Sequence, residues 1–355
     1  MILIVKSSKI NNKKHYNNMQ NKNKKTKAKI RVGVLFGGKS VEHEVSIKSA
    51  NNVIEALNKK KYEIVPIKIE KNGKFPINIF EQEKINVVFS VCHGSYGEDG
   101  SMQGFLKILD IPFVGAGVLG SAVGMDKDVM KRLLKEAEIP IGKFLVFNKG
   151  EKIDFEKIVK ILNLPIFIKP ANLGSSVGVS KVKNEKEFKK AVQEAFKYDS
   201  KIIFEEAIIG REIECAVLGG KKIIASVVGE IIPQDSFYSY KAKYLDPNGA
   251  ILKIPASLPK EIIKKVQNLA IKTFKVLNCE GMGRVDFFLK ENGDILVNEI
   301  NTLPGFTAIS MYPKLLEATG ISYSKLLDKL IQLAFERSKK EQSTCLTPQM
   351  LETNF

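Results

Sequence analysis

The chain has 355 residues, 44% of them hydrophobic, and a net charge of +17, which is enough length for two or three domains with sizeable cores. No apolar run approaches the roughly 18–20 residues of a membrane span. The four cysteines, Cys92, Cys215, Cys279 and Cys345, are far apart and form no C-x-x-C pair, so a membrane protein and a disulfide scaffold are both disfavoured and a cytoplasmic location is expected.

Residues 1–30 hold nine lysines and no acid, so much of the positive excess is local. The remainder lacks the interleaved aromatics of a nucleic-acid surface, which argues against such a partner, whereas a basic balance suits phosphate-bearing small molecules. Residues 1–29, rich in Lys and Asn, are expected to form a disordered basic extension. From Ile30 the run IRVGVLF reads as a buried parallel strand, followed by Gly37-Gly38 and a helix with Ile47, Ala50, Ile54 and Leu57 at helical spacing. YEIVPIKI, INVVFSV and IPFVGA read as further strands, so residues 30–124 are expected to form a doubly wound α/β domain.

His93 follows the end of the third of these strands, where a Gly-rich loop leads into a helix beginning near Ser101. Ligands in open α/β sheets bind at that edge, although a lone histidine is as readily structural. Asp126 is placed to cap a helix carrying Val129, Leu133 and Ala137 that stops before Pro140. Lys127 then falls in the first turn, the unfavourable end of the helix dipole for a cation. A bound anion would resolve that conflict, and so would solvent.

LPIFIKPANLGSSVGVSKV reads as strand, loop and strand, with Lys169 ending the first strand. Gly174, Ser175, Ser176 and Gly178 give a loop rich in exposed N–H groups and hydroxyls, suited to closing over phosphate. Glu205 and Glu212 lie seven residues apart around the Gly210-Arg211 turn. They suit recognition of a nucleotide's base and ribose, or surface salt bridges. Residues 237–250, aromatic and basic, read as a lid carrying Lys243 and Tyr244. An amphipathic helix follows from Pro259, a last helix is expected over Tyr323–Ser338, and residues 341–355 form a tail.

GRVDFFLKENGDILVNEIN, residues 283–301, reads as a β-hairpin in which Asn292-Gly293 supplies a two-residue type I′ turn. With Glu291 facing Asp294, Asp286 falls opposite Glu299 and Arg284 opposite Asn301, all on one face. Opposed carboxylates about 4.5–5.5 Å apart at Cβ repel unless a cation intervenes. The all-oxygen set Asp286, Glu299 and Asn301 suits a hard ion such as Mg²⁺. Lysines, a Gly-Ser loop and this hairpin together describe a site for a magnesium nucleotide and for phosphoryl transfer.

GGKSVEHEVS (37–46), HGSYGEDGSMQG (93–104), MDKDVMK (125–131), KPANLGSSVG (169–178), YKAKY (240–244), GRVDF (283–287) and NEINTLPGFT (298–307) resemble the D-alanine:D-alanine ligases of the ATP-grasp superfamily. The resemblance runs in order from about Arg31 to Ala334. It implies the Rossmann-like N-terminal domain followed by an ATP-grasp fold of two α+β subdomains, 125–211 with the phosphate loop and 212–340 with the metal site. It also implies ATP-dependent joining of two D-alanines through a D-alanyl phosphate, in a homodimer.

Under the same resemblance Asp286, Glu299 and Asn301 hold two Mg²⁺, or Mn²⁺, ions. Lys127 and Lys169 meet the α- and β-phosphates with Ser175 and Ser176 nearby, and Lys243 meets the γ-phosphate. Glu205 and the backbone of Ile208 meet adenine, and Glu212 the ribose. Glu42 binds the first ammonium, His93 lies near its carboxylate, and Ser310 holds the second carboxylate. Arg284 and the N–H of Gly305 form an oxyanion hole, and Ser175 and Tyr244 latch to Glu42. FEEAI departs from the usual pattern, in which a lysine often follows the first glutamate, and this bears on the adenine contacts. The rival expectations are a sister ligase making D-alanyl-D-lactate or D-alanyl-D-serine, and a non-catalytic nucleotide-binding protein.

Overall fold

The computed structural model describes residues 28–233 and 249–344. The chain opens with β1 (Ile30–Gly37), α1 (His43–Ala56), β2 (Tyr62–Ile69), the short α2 (Ile79–Gln82) and β3 (Val87–Ser90). These strands form a parallel sheet in the order β2-β1-β3. Val32, Val34 and Leu35 of β1 are fully buried, as expected where both faces of a parallel sheet are covered. IPFVGA does not become the further strand expected of it, because it meets β3 only through an isolated bridge between Val88 and Phe113. Its carbonyls at Phe113 and Gly115 are instead taken by the buried guanidinium of Arg337, so no neighbouring strand is needed to satisfy them.

Next come α3 (Ser101–Ile108), α4 (Val118–Met125) and α5 (Lys127–Glu136). Asp126 caps α5 by accepting from the N–H groups of Asp128 and Val129 at 3.0 and 3.2 Å. The buried side of α5 is formed by Lys127, Met130, Lys131 and Leu134, while Val129 and Leu133 are exposed. The expected apolar face is therefore rotated. Met130 and Leu134 enter a core with Ile213, Val285 and Val297, and the two lysines beside them turn inwards towards carboxylates.

A second sheet contains β4 (Phe144–Asn148), β5 (Ile166–Pro170), β6 (Ser180–Val182) and β7 (Lys201–Glu206), ordered β4-β7-β5-β6 and antiparallel throughout. Helices α6 (Phe155–Leu162) and α7 (Glu185–Ala195) supply Ile158, Leu162, Phe188 and Ala191 to its own core.

The third sheet is antiparallel and ordered β10-β9-β8-β11-β12. It comprises β8 (Arg211–Gly219), β9 (Ile223–Pro233), β10 (Ala250–Lys253), β11 (Gly281–Leu289) and β12 (Ile295–Asn301). Helix α8 (Lys260–Val276) buries Val266, Ala270 and Phe274 against one face. Helices α9 (Met311–Ala318) and α10 (Tyr323–Thr344) pack Tyr312, Leu315, Leu327 and Ile331 into a cluster that also contains Val32 and Phe89 of the first sheet. The last helix runs six residues past the expected Ser338. Cys92, Cys215 and Cys279 are free and buried, and no helix among the described residues is long and apolar enough to cross a membrane.

Candidate active site

The β11–β12 hairpin pairs Asp286 with Glu299 and Arg284 with Asn301, although not by the expected turn. Leu289 pairs with Ile295 and the N–H of Lys290 donates to the carbonyl of Asp294, leaving a three-residue loop with Gly293 at φ +85°. That is the longer hairpin connection, with its glycine in the left-handed position. The one-residue difference is cancelled by a register shift between Asp286 and Phe287, where Asn298 is the extra residue. Beyond the shift Ile295 and Val297 point into the core, and Leu296 and Asn298 do not.

Glu214 on β8 pairs with Asp286 on its other side. Three carboxylates, Glu214, Asp286 and Glu299, therefore stand in a row across three adjacent strands. Arg284 donates from Nε and Nη2 to the two oxygens of Asp286, each at 2.7 Å, and its Nε lies 3.0 Å from Glu214 Oε2. Lys127 Nζ is 3.6 Å from Glu299 and donates to the carbonyl of Leu173 at 2.7 Å. Asn301 Oδ1 accepts from the N–H of Leu303 at 3.0 Å, which orients the amide and leaves a lone pair for another partner. Sequence reasoning passed over Glu214. Its signal was an acid two residues after Glu212 on a strand whose intervening Ile213 and Cys215 are fully buried.

On one side of the row lies a cavity of about 180 Å³, bordered by Glu42, His93, Ser175, Arg284, Gly305 and Ser310. Glu42 is buried, and Ser175 Oγ donates to it. Ser175 and Ser176 both adopt positive φ, +53° and +60°. His93 is buried, with Nε2 3.1 Å from Ser49 Oγ and Nδ1 3.6 Å from Glu98. Burial pulls its pKa down, but the carboxylates of Glu98 and Glu42 outweigh that and leave it raised. At Gly305 a Cβ would stand 2.7 Å from Ser310 Oγ. That oxygen is held by the N–H of Thr307 at 3.0 Å and by Thr307 Oγ1 at 2.8 Å.

On the other side lies a cavity of about 700 Å³, bordered by Lys169, Ser176, Glu205, Ile208, Glu212 and Asp286. Glu205 is gripped by Lys169 Nζ at 2.6 Å and Lys131 Nζ at 3.1 Å. Burial alone would raise the Glu205 pKa, yet the two ammonium groups bring it down to about 2. Burial likewise lowers the Lys169 pKa and Glu205 more than restores it. Lys131 was also missed from sequence, although it lies one helical turn after Lys127 in the MDKDVMK block. Lys243 and Tyr244 fall outside the described residues.

Two antiparallel sheets with a lysine- and carboxylate-lined cleft between them, preceded by a three-stranded parallel sheet, are the ATP-grasp fold behind a Rossmann-like N-terminal domain. Residues 31–83 and 77–116 match the family described as D-ala D-ala ligase N-terminus, and residues 133–332 match D-ala D-ala ligase C-terminus. The D-alanine–D-alanine ligase of Shouchella clausii is 49% identical, over 89% of this chain and 97% of its own length. Among solved structures, the D-alanine–D-alanine ligase of Coxiella burnetii aligns with TM-score 0.80 at 38% identity, covering 89% of this chain and 96% of that one. The VanG D-Ala:D-Ser ligase of Enterococcus faecalis aligns at 0.78 and 36%, covering 86% and 100%. The D-alanine–D-alanine ligase of Bacillus anthracis complexed with ATP aligns at 0.76 and 34%, covering 88% and 99%. The chain belongs to the D-alanine–D-alanine ligase family.

Proposed function

We propose that this chain joins two D-alanines at the expense of ATP. ATP phosphorylates the carboxylate of the first, and the amine of the second attacks the acyl phosphate and releases phosphate. The product is a D-alanyl-D-alanine unit for peptidoglycan precursors. The observation that carries this reading is that Lys127, Ser175 and Glu299 border both cavities, so a nucleotide in one meets an amino acid in the other at the carboxylate row. Curated relatives at 49% identity carry the same activity in their names, and an ATP complex exists for a structural neighbour.

In this reading the large cavity takes the nucleotide, with Lys127 and Lys169 at the α- and β-phosphates, Ser176 beside them, and Lys243 at the γ-phosphate. Glu205 and the Ile208 backbone face adenine, and Glu212 the ribose. Asp286, Glu299 and Asn301 fit a hard cation, since they offer oxygen donors only and two of them are opposed carboxylates. They would hold two Mg²⁺, or Mn²⁺, ions, which neutralise charge on the transferring phosphoryl group. Glu42 takes the ammonium of the first D-alanine, His93 lies by its carboxylate, and Ser310 binds the second carboxylate. Arg284 and the N–H of Gly305 stabilise the oxyanion that forms at the attacked carbonyl. Ser175 holds Glu42, and Tyr244 completes the latch that keeps water from the acyl phosphate.

We further place the domains at 30–124, 125–211 and 212–340 and expect a cytoplasmic homodimer, which light scattering tests. The function is tested by phosphate release with ATP, Mg²⁺ and a panel of D-amino and D-hydroxy acids. Release that requires D-alanine and yields the dipeptide is expected. Release only with D-serine or D-lactate as second substrate would reassign the chain to the sister ligases, and no turnover in a folded protein would leave a nucleotide-binding role.

A further inference from the structure

The function proposed above gives Asp286 and Arg284 competing duties. Asp286 is to offer oxygens to a metal ion, yet both of its oxygens accept hydrogen bonds from Arg284. Arg284 is to stabilise an oxyanion, yet the partner holding it is one that a divalent cation would claim. Mg²⁺ demands near-ideal octahedral oxygen geometry at about 2.0–2.1 Å, so a cation on Asp286 would compete with the guanidinium for its oxygens. Arg284 then needs a second anion outside the proposed metal ligands.

Glu214 meets that requirement. Its Oε2 lies 3.0 Å from Arg284 Nε, it is 5% exposed, and it stands on β8, the far side of β11 from Glu299. It is also one of the residues bordering both cavities. A carboxylate at Nε would let the guanidinium turn its terminal nitrogens towards the amino-acid cavity, which Arg284 borders. We propose that Glu214 is the positioning residue that keeps Arg284 aimed at the reacting carbonyl once the oxygens of Asp286 pass to a metal ion. The inference rests on the oxyanion role proposed for Arg284.

The test combines kinetics with direct binding in the full chain. Glu214→Gln keeps the shape and removes the charge. It is expected to lower kcat by about 10- to 100-fold, the scale of a misplaced group, with the KM for ATP within about twofold. Calorimetric titration with MgADP is expected to give a Kd within about twofold of wild type, and a Kd weakened tenfold or more would make Glu214 a metal ligand and overturn the proposal. In an Arg284→Lys background the same change is expected to cost less than about threefold, because the two residues act as one unit. A full additional loss there would also overturn it. Glu214→Asp, which retains the anion, is expected to melt with the wild type and to recover kcat to within about tenfold, and activity no better than Glu214→Gln would count against a positioning role. If Arg284→Lys alone turned over at the wild-type rate, the oxyanion assignment itself would fail, an outcome distinct from failure at Glu214.

Discussion

Two ion clusters border the large cavity and they are built to opposite balances. At Glu205 one carboxylate meets two ammonium groups, Lys131 and Lys169. At the hairpin three carboxylates, Glu214, Asp286 and Glu299, meet Arg284 and Lys127. The first cluster has a cation to spare and suits an anionic ligand, whereas the second has an anion to spare and suits a cation. A magnesium nucleotide carries both signs, so the two opposite balances fit the nucleotide role proposed for this cavity.

The strongest way to break this comparison is at Glu299, the acid nearest Lys127. Glu299→Gln is expected to abolish dipeptide synthesis, a loss of several kcal/mol in transition-state stabilisation, with the circular dichroism spectrum and melting temperature of the wild type. Near-normal turnover in the folded variant would remove the metal site from the hairpin. A second variant sharpens the contrast in stability. Glu205→Gln leaves two buried ammonium groups facing a neutral amide and is expected to cost about 3–5 kcal/mol in urea denaturation. Asp286→Asn relieves carboxylate crowding while losing part of the Arg284 contact, and is expected to shift stability by less than about 1 kcal/mol. Equal losses in the two variants would mean that both clusters are compensated in the same way.

The same contrast is expected in acid. The Glu205 pKa is lowered from 4.5 to about 2 in the folded chain, so its contribution is present above the unfolded value and is lost as pH falls through the folded one. At about 1.4 kcal/mol per unit, the wild type is expected to lose about 3 kcal/mol between pH 4.5 and 2 that Glu205→Gln does not lose. Parallel acid titrations of the two would refute the depressed pKa. The smallest effect is expected from a chain beginning at Ala28. Charges beyond a Debye length of about 10 Å are screened at 0.1 M salt, so removing residues 1–27 with their eight lysines is expected to leave rate and melting temperature unchanged. A large change would show that the balance of the clusters is not set locally.

Much of this was legible in the sequence, for uneven reasons. Strand periodicity gave the parallel opening sheet and the face shared by Asp286, Glu299, Arg284 and Asn301, because pairing along a hairpin needs only a count from the turn. The count began one residue out at Asn292-Gly293 and was restored by the irregularity at Asn298, which no propensity signals. The burial of α5 was misread because Lys127 and Lys131 occupy its inner side, where only a tertiary carboxylate makes a lysine affordable. Lys131 and Glu214 were missed for a related reason, since each takes its meaning from a partner distant in sequence. IPFVGA looked like a strand until Arg337, more than 220 residues later, satisfied its carbonyls.

That arginine has a mechanical consequence. It fastens α10 to the segment after β3, its guanidinium is 4.1 Å from the centre of the Phe113 ring, and a Cβ on Gly281 of β11 would meet the backbone of Gly115 at 3.2 Å. The first and third sheets are thereby joined through a shared core and a backbone contact, which ties Glu42 and His93 to the hairpin. The second sheet has a core of its own and reaches the other two partly through polar contacts such as Lys201 with Asp126 at 2.6 Å. A motion that opens the large cavity is therefore expected in β4–β7, while Glu42 and His93 keep their distance from the hairpin.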